Sequence, residues 1–503
     1  MQVSRVLKTL AWIAPQAAMR RARAMALLEA QSRYAGATTG RRGASFLGGQ
    51  QSANTAIGGK IQLLRARAHE MVRDHWAFTR ILDVTVAHAI GSGISVVPDN
   101  GNDRDDCKAR DAWQEWQATA DITGEGDYHG LTALAVRSML EGGSSLVRMV
   151  PVRTTQTRQV PLALQLVEAE QIDHTREGTI DGRRVRLGIA LGTHDERLGL
   201  YLHREHPGEA SATIVARDRT ESLFFDRDEV CHLYRQLRPL QVIGVPVFAP
   251  ILLPARDLAD LMDAVIVKAK IEACYAGFIE TDSDASPLAE LTTQSGDQRL
   301  SEFAPGMIVE LRPGQKISFG QPSSNTAFEP IHNATLYAMA AGAGVTFDQL
   351  TGDLRQANYS SLRAGKIEFR RMIEQLQWLT IVPKLHARIT ARFTQDAITA
   401  GVLRPRRDGW RWTYVMPANE PIDPKKDLEA DILAVRSGRM SPQEFIAGWG
   451  RDWREVVADY STFLAEIDAA GLVLDIDPRR VNKQGSEQQS HPDTSQDPAE
   501  PAQ

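Results

Sequence analysis

Along the first long periodic stretch, positions 61, 64, 68, 71, 75, 78 and 82 carry Ile, Leu, Ala, Met, His, Phe and Leu at alternating three- and four-residue steps. One apolar stripe at that spacing predicts a single amphipathic helix that ends near Gly91-Ser92-Gly93, with His75 packed on its face. From ISVVP at 94 to about residue 250 the pattern turns short and mixed. Helical periods at WQEWQATA and HGLTALAVRSML are followed by strand-like runs SLVRMVPV, LALQLVEAE, RLGLYLH, ATIVAR and EVCHLYR, separated by turn residues. This reads as an α+β region. Residues 255–278 then form one unbroken helical pattern, about 36 Å long at the α-helical rise.

Next comes a turn-rich excursion, IETDSDASPLAELTTQSGDQRLSEFAPGMIVELRPGQKISF, in which MIVEL and KISF predict two strands joined by RPGQ. A second helix is expected over 327–346, a polar loop after it, and a long helix from Ser361 to Arg392. The C-terminal helices announce their own starts: Asp423-Pro424 before KKDLEADILAVRSG, and Ser441-Pro442-Gln443-Glu444, a capping box with Pro at the first helical position. Gly438 and Gly471 supply the stops, so 421–471 reads as a small helical bundle.

A chain of 503 residues, 43% of them hydrophobic, is too long for one core and sufficient for several domains. Cys107, Cys231 and Cys274 lie far apart, which supports neither a disulfide framework nor a zinc knuckle and fits buried thiols in a reducing cytoplasm. No run approaches the roughly 18 apolar residues of a membrane span. The net charge of −5 hides an asymmetry: residues 1–68 hold 11 Lys/Arg against one acid, which leaves 47 bases and 62 acids beyond them. The basic arm has the composition of a transit-type segment, whereas Arg20, Arg21 and Arg23 interrupt any signal-peptide core. Residues 482–503 lack the apolar content to order a backbone.

Catalytic signatures are missing. NTAIGGKI approaches a phosphate-binding loop, yet Asn54 replaces the first Gly and Ile61 stands where Mg²⁺ needs a hydroxyl. No HExxH, GxSxG or dinucleotide fingerprint occurs. His203 and His206 would need a third ligand to hold a metal. Asp103, Asp105 and Asp106, and separately Asp282 and Asp284, sit in turn-rich stretches where solvated loops are expected. The reading is therefore of a non-enzyme with no metal and no cofactor.

Four separated segments give the chain a resemblance. They are SANTAIGGKIQLLRARAHEMVRDHWAFTRILDVTVAHAIGSGI, LQLVEAEQID at 164–173, EVCHLYRQLRPLQVIGVPVFAPIL at 229–252, and AGAGVTFDQLTGDLRQANYSSLRAGKIEFRR at 341–371. In that order, over about residues 53–480, they resemble the lambda-type portal proteins of tailed bacteriophages. The element Asn358-Tyr359-Ser360-Ser361-Leu362-Arg363 is the most distinctive piece. The resemblance implies a multidomain α+β portal fold: an α/β wing, a long helical stem, a small α/β clip and a helical crown, in a ring of about twelve subunits at one capsid vertex. On this chain it implies a basic arm 1–58, wing 59–254, stem helices 255–279 and 326–346, clip 280–325, channel loop 347–360, long helix 361–420 returning to the wing, crown 421–481 and tail 482–503. The implied partners are double-stranded DNA, the large terminase subunit, head–tail adaptors, and major capsid and scaffold proteins, in a virion assembled in the host bacterial cytoplasm.

Within that frame Asp353, Arg355, Gln356 and Asn358 are expected to face passing DNA, and Tyr359, Ser360, Ser361 and Arg363 to anchor the long helix, with Ser360 or Ser361 as its N-cap. A loop beside sliding DNA should be polar yet bind weakly, because neutralising many phosphates would hold the duplex by counterion release. From spacing alone GDLRQANYSS reads equally as an ordinary helix-to-helix loop, with Asp353 and Asn358 as turn and cap residues. Likewise AMAAGAG suits close packing of helices either between subunits or within one chain. Two rivals stand beside the portal reading: a packaging motor, which would need the missing phosphate loop, and a capsid or scaffold interaction protein without a channel.

Overall fold

A computed structural model describes residues 49–209, 221–273, 277–281, 293–295, 298–300, 315–319, 328–355, 358–421 and 423–472, with a few isolated positions nearer the ends. The chain divides into two compact units, residues 1–56 and 57–503, and the elements that follow belong to the second.

The first apolar stripe is split in two, α1 (Ile61–Asp74) and α2 (Trp76–Ala89). Half-buried His75 is extended, and its Nδ1 accepts the Ala77 N–H at 3.2 Å, so it caps α2 instead of continuing α1. A side-chain acceptor at that point satisfies one of the orphan donors of a new helix, which is why the uninterrupted periodicity concealed the break. The break lets Phe78 pack on Phe248, ring centroids 4.7 Å apart.

After β1 (Ser95–Pro98) comes α3 (Asp103–Gln117), capped by Asn102. Asp103, Asp105 and Asp106 are therefore not in a solvated loop but in the first turn of a helix, where carboxylates complement the dipole. Asp105 is buried against Arg404 and Arg406, and Asp106 takes the Asn100 backbone and side-chain amides. Cys107, expected to be buried, lies on the solvent face of α3, since the buried positions of that helix run through Ala109, Ala112, Trp113 and Trp116. Cys231 is buried, while Cys274, Asp282 and Asp284 lie outside the described residues.

Helix α4 (Tyr128–Gly142) ends at Gly143, φ +83°, and turns directly into β2 (Ser144–Pro151). A side chain at Gly143 would meet the Val245 backbone at 2.6 Å, so the left-handed turn and the close approach both demand glycine. Strand β2 is the centre of an antiparallel three-stranded sheet, flanked by β3 (Leu162–Glu168) and β9 (Val230–Tyr234). Its near-continuous apolar run is what a strand covered on both faces needs. A five-stranded meander, β4 (Gly178–Ile180), β5 (Arg183–Arg186), β6 (Ile189–Leu191), β7 (Arg197–His203) and β8 (Ser222–Asp226), completes this α+β region. The expected strand ATIVAR falls outside the described residues.

Helix α5 (Leu252–Ala273) begins three residues before the sequence pattern suggests. Beyond it β10 (Gly277–Thr281) pairs antiparallel with β13 (Gln315–Phe319), which contains KISF, and β11 (Thr293–Ser295) pairs with β12 (Gln298–Leu300). The expected strand MIVEL lies outside the described residues. Helix α6 (Phe328–Ala343) returns, and its Gly342 leaves room for buried Ile251: a Cβ there would sit 2.5 Å from Ile251 Cγ2. At this position the small-residue run serves a contact within the chain.

After a short α7 (Phe347–Thr351) and the polar loop, the chain is helical without a break from Tyr359 to Thr399. It runs as α8 (Tyr359–Leu376), a π-helical stretch Gln377–His386 and α9 (Ala387–Thr399). Pro383 lies inside the π stretch, whose wider turn tolerates a residue that lacks an N–H and would clash in an α-helix. Phe393 of α9 meets Trp113 at 4.9 Å and Trp116 at 5.2 Å, in one aromatic centre with Tyr128. Strand β14 (Trp412–Val415) pairs with β1. Then α10 (Pro424–Arg436), α11 (Pro442–Gly448) and α12 (Trp453–Ala469) follow, capped by Asp423, the Ser441/Glu444 box and Asp452. Gly438 and Gly471 follow the ends of α10 and α12 at φ +73° and +65°.

Candidate nucleic-acid interface

The polar loop is held from both sides. Before it, the Thr346 N–H donates to Gln349 Oε1 at 3.0 Å, which starts α7, and Arg80 Nε of α2 donates to the Gln349 carbonyl at 3.0 Å. Phe347 stacks on Tyr337 of α6, centroids 4.1 Å apart. Gly352, φ +72°, ends α7 with its N–H on the Asp348 carbonyl at 2.8 Å. The Thr346-x-x-Gln349 spacing is a capping box legible in the sequence, whereas the Arg80 clasp joins residues too far apart to be read there.

Asp353 and Arg355 pair with each other. Arg355 donates from its backbone N–H and Nε to Asp353 Oδ1, both at 3.0 Å, and from Nη2 to Oδ2 at 2.7 Å. Arg355, hydrogen-bonded to the Asp353 carboxylate, holds that carboxyl down at about 2. The Arg355 side chain is 88% exposed and Leu354 beside it 59% exposed, so the pair stands outward as one nearly neutral unit. A cavity of about 380 Å³ opens behind it, lined by Glu329, Asn333, Asp348 and Asp353 among others. Gln356 lies outside the described residues.

The N-cap of the long helix is Asn358, a correction to the expected Ser360 or Ser361. Asn358 Oδ1 accepts the Ser361 N–H at 2.8 Å, and Ser361 Oγ returns to the Asn358 backbone, donating to its carbonyl at 3.0 Å. An amide reaches the third helical N–H from the capping position, and Ser361 takes the reciprocal place usually held by Glu or Gln. Tyr359 opens the helix, Ser360 is exposed in its first turn, and Arg363 pairs with Asp427 of α10 at 3.1 Å. The structure thus gathers Asp353, Arg355 and Asn358 in one short segment and ties Arg363 to the C-terminal helices.

The two histidines singled out by spacing are not brought together. His203 faces Asp173 at 3.8 Å and His206 faces Glu168 at 3.2 Å. Among the described residues, Glu168, Glu170 and His206 converge within 4.8 Å. The Gly208 N–H donates to His206 Nδ1 at 3.0 Å, which puts the ring proton on Nε2, facing Glu168, where a metal would need a bare nitrogen. Glu170 instead receives His69 Nε2 at 3.0 Å, while His69 Nδ1 reaches Glu141 at 2.6 Å. Both ring nitrogens donate, and the two carboxylates, Glu141 first, raise His69 to about 10. This is a charge network joining α1, the end of α4 and the turn after β3.

Comparison with known proteins sets the class. The chain is 24% identical over 447 residues, 82% of each chain, to the probable portal protein of Halomonas phage phiHAP-1. It is 22% identical over 481 residues to the portal protein of Escherichia phage N15, covering 84% of this chain and 87% of that one. To portal protein B of Escherichia phage lambda it is 22% identical over 358 residues, 63% and 65% of the two chains. The sequence model of the phage portal proteins, lambda family, matches residues 39–377, and the chain belongs to that family. Among solved structures, the chain is similar to the neck of a native gene transfer agent particle computed with C12 symmetry, at TM-score 0.43 and 15% identity over 76% of this chain and 93% of that one. An HK97 family portal protein from Corynebacterium diphtheriae matches at TM-score 0.32 and 11% identity, over 72% and 96%.

Proposed function

We propose that about twelve copies of this portal protein close into a ring at one capsid vertex, through which terminase drives double-stranded DNA and to which head–tail joining proteins later attach. The α+β region 59–254 is the wing, α5 and α6 the stem, 280–325 the clip, 347–360 the channel loop, the helix from 361 onward the return to the wing, and 421–481 the crown. The channel loop presents Asp353, Arg355, Gln356 and Asn358 to the duplex, while Tyr359, Ser360, Ser361 and Arg363 fix the helix that carries it.

The observation that carries this reading is the pairing of Asp353 with an outward Arg355. A conduit must not grip: a ring of free arginines would neutralise phosphates and hold the duplex by counterion release. A guanidinium already bound to its own carboxylate offers a phosphate only transient contact. Packaging into proheads that contain Asp353→Asn or Arg355→Ala tests it. The first should slow or stall DNA entry, and the second should reduce retention of packaged DNA more than entry. Full packaging and retention by both variants would remove the loop from the channel wall.

A further inference from the structure

Met416, just past β14, is the last described residue packed against an apolar core of the body. Beyond it, no residue of α10, α11 or α12 is buried, and none joins those cores. The three helices are joined to one another by short turns at Gly438 and Gly450, φ +73° and +74°. Hydrophobic burial therefore does not fix this bundle to the rest of the chain.

Charge does. At the start of α12, Arg454 Nη2 donates to Asp99 Oδ1 at 2.7 Å, one residue past the end of β1. Beside it Arg110 Nη2 of α3 donates to Oδ2 of buried Asp452 at 3.2 Å, and Asp452 Oδ1 accepts the Arg454 N–H at 3.2 Å, so one carboxylate caps α12 and ties it to the body. At the start of α10, Asp427 accepts Arg363 Nη2 of α8 at 3.1 Å. Signs alternate across the α12 contact, Asp99 and Arg110 on the body against Arg454 and Asp452 on the bundle, so one register satisfies both pairs. The tether is rooted at the same edge, because Trp412 of β14 pairs with Pro98 of β1.

We propose that the C-terminal bundle is a module latched to the body by these ion pairs, and that it undocks as a unit about the segment after β14 when ionic strength screens them. Modules without a large apolar interface between them move relative to one another unless something else holds them. The range of a charge falls from about 30 Å at 0.01 M salt to about 3 Å at 1 M, which weakens the exposed pairs first and the shielded Arg110–Asp452 pair last. A short tether keeps the open bundle close to its seat, so the latch closes again when salt falls. The inference concerns contacts within one chain and stands apart from the ring reading.

The test places spin labels on the full-length chain at exposed Cys107 of α3 and at Ser461→Cys on the exposed face of α12, with Cys274→Ser and with buried Cys231 left in place. Dilution with unlabelled chain makes each measured distance one within a single subunit. Electron–electron resonance should give one short distance at about 0.05 M salt and a second, longer one at about 1 M. Asp99→Arg or Arg454→Asp alone should raise the population of the longer distance roughly two- to fivefold at low salt, and the two together should restore the parent distribution. A distribution that neither salt nor either single variant changes overturns the latch. So does a double variant that stays open, because charge would then not be what seats the bundle.

Discussion

At the residue scale, two histidines on one charge network should titrate with opposite signs. His69 lies between two carboxylates and is raised to about 10 from an ordinary value near 6.5. Its contribution is complete below pH 6.5 and is lost as pH rises through about 10. His174 is held neutral: Arg65 Nη1 donates to its Nε2 at 2.7 Å, and burial first, then the Arg65 charge, lowers it to about 4. Between pH 6.5 and 4 the unfolded chain binds a proton that the folded chain refuses, so stability falls as pH drops through that window. His69→Gln should flatten the alkaline limb of the thermal midpoint against pH, and His174→Gln the acid limb. A profile that keeps both slopes in the variants would contradict the network. Neither histidine attracted notice in the sequence, because Glu141, Glu170 and Arg65 reach them only through tertiary folding. Asp353 and Arg355, two residues apart, were legible as polar loop residues, but their pairing required the turn after Gly352.

At the element scale, caps and close contacts decide where helices begin and how they cross. Asn358→Ala removes the acceptor for the Ser361 N–H and should cost about 1 kcal/mol, whereas Ser360→Ala, at a position that does not cap, should cost little. Equal losses in denaturant melts would return the cap to serine. Gly342→Val drives a side chain into buried Ile251 at the head of α5 and should cost about 1–3 kcal/mol; a neutral result would mean that the crossing tolerates a shift. The C-terminal caps at Asp423 and Ser441 were fully legible, since a capping box is a local signal. The division of α1 from α2 was not, because an apolar stripe can continue across a break when both helices pack on one core. The π-helical stretch was equally silent: Pro383 signals a break in an α-helix, and the wider turn absorbs it.

At the scale of the whole molecule, the order helix, β excursion, helix, loop, long helix was legible because each part has its own period. What the assembled molecule does with its charge is set by the fold. Helices α10, α11 and α12 have no buried residue, and Leu433 and Tyr460 stand 68% and 57% exposed, so the C-terminal bundle presents apolar surface that neighbours in a ring can cover. In the ring proposed above the loop charges are multiplied about twelvefold. On the proposed reading that this loop lines the channel, each subunit with Asp353 in place adds almost nothing to the net charge there, since its carboxylate and the Arg355 guanidinium cancel. Asp353→Asn frees one positive charge per subunit, and each phosphate then neutralised adds about 0.9 to the slope of log affinity against log salt. Packaging by the Asp353→Asn ring should therefore stall at low salt and recover as salt rises, while the parent rate changes little. Asp353→Asn with Arg355→Gln, which removes both charges, should package without that salt dependence. If the single variant stalls equally at every salt concentration, the defect is one of loop geometry, and the electrostatic account of this loop is wrong.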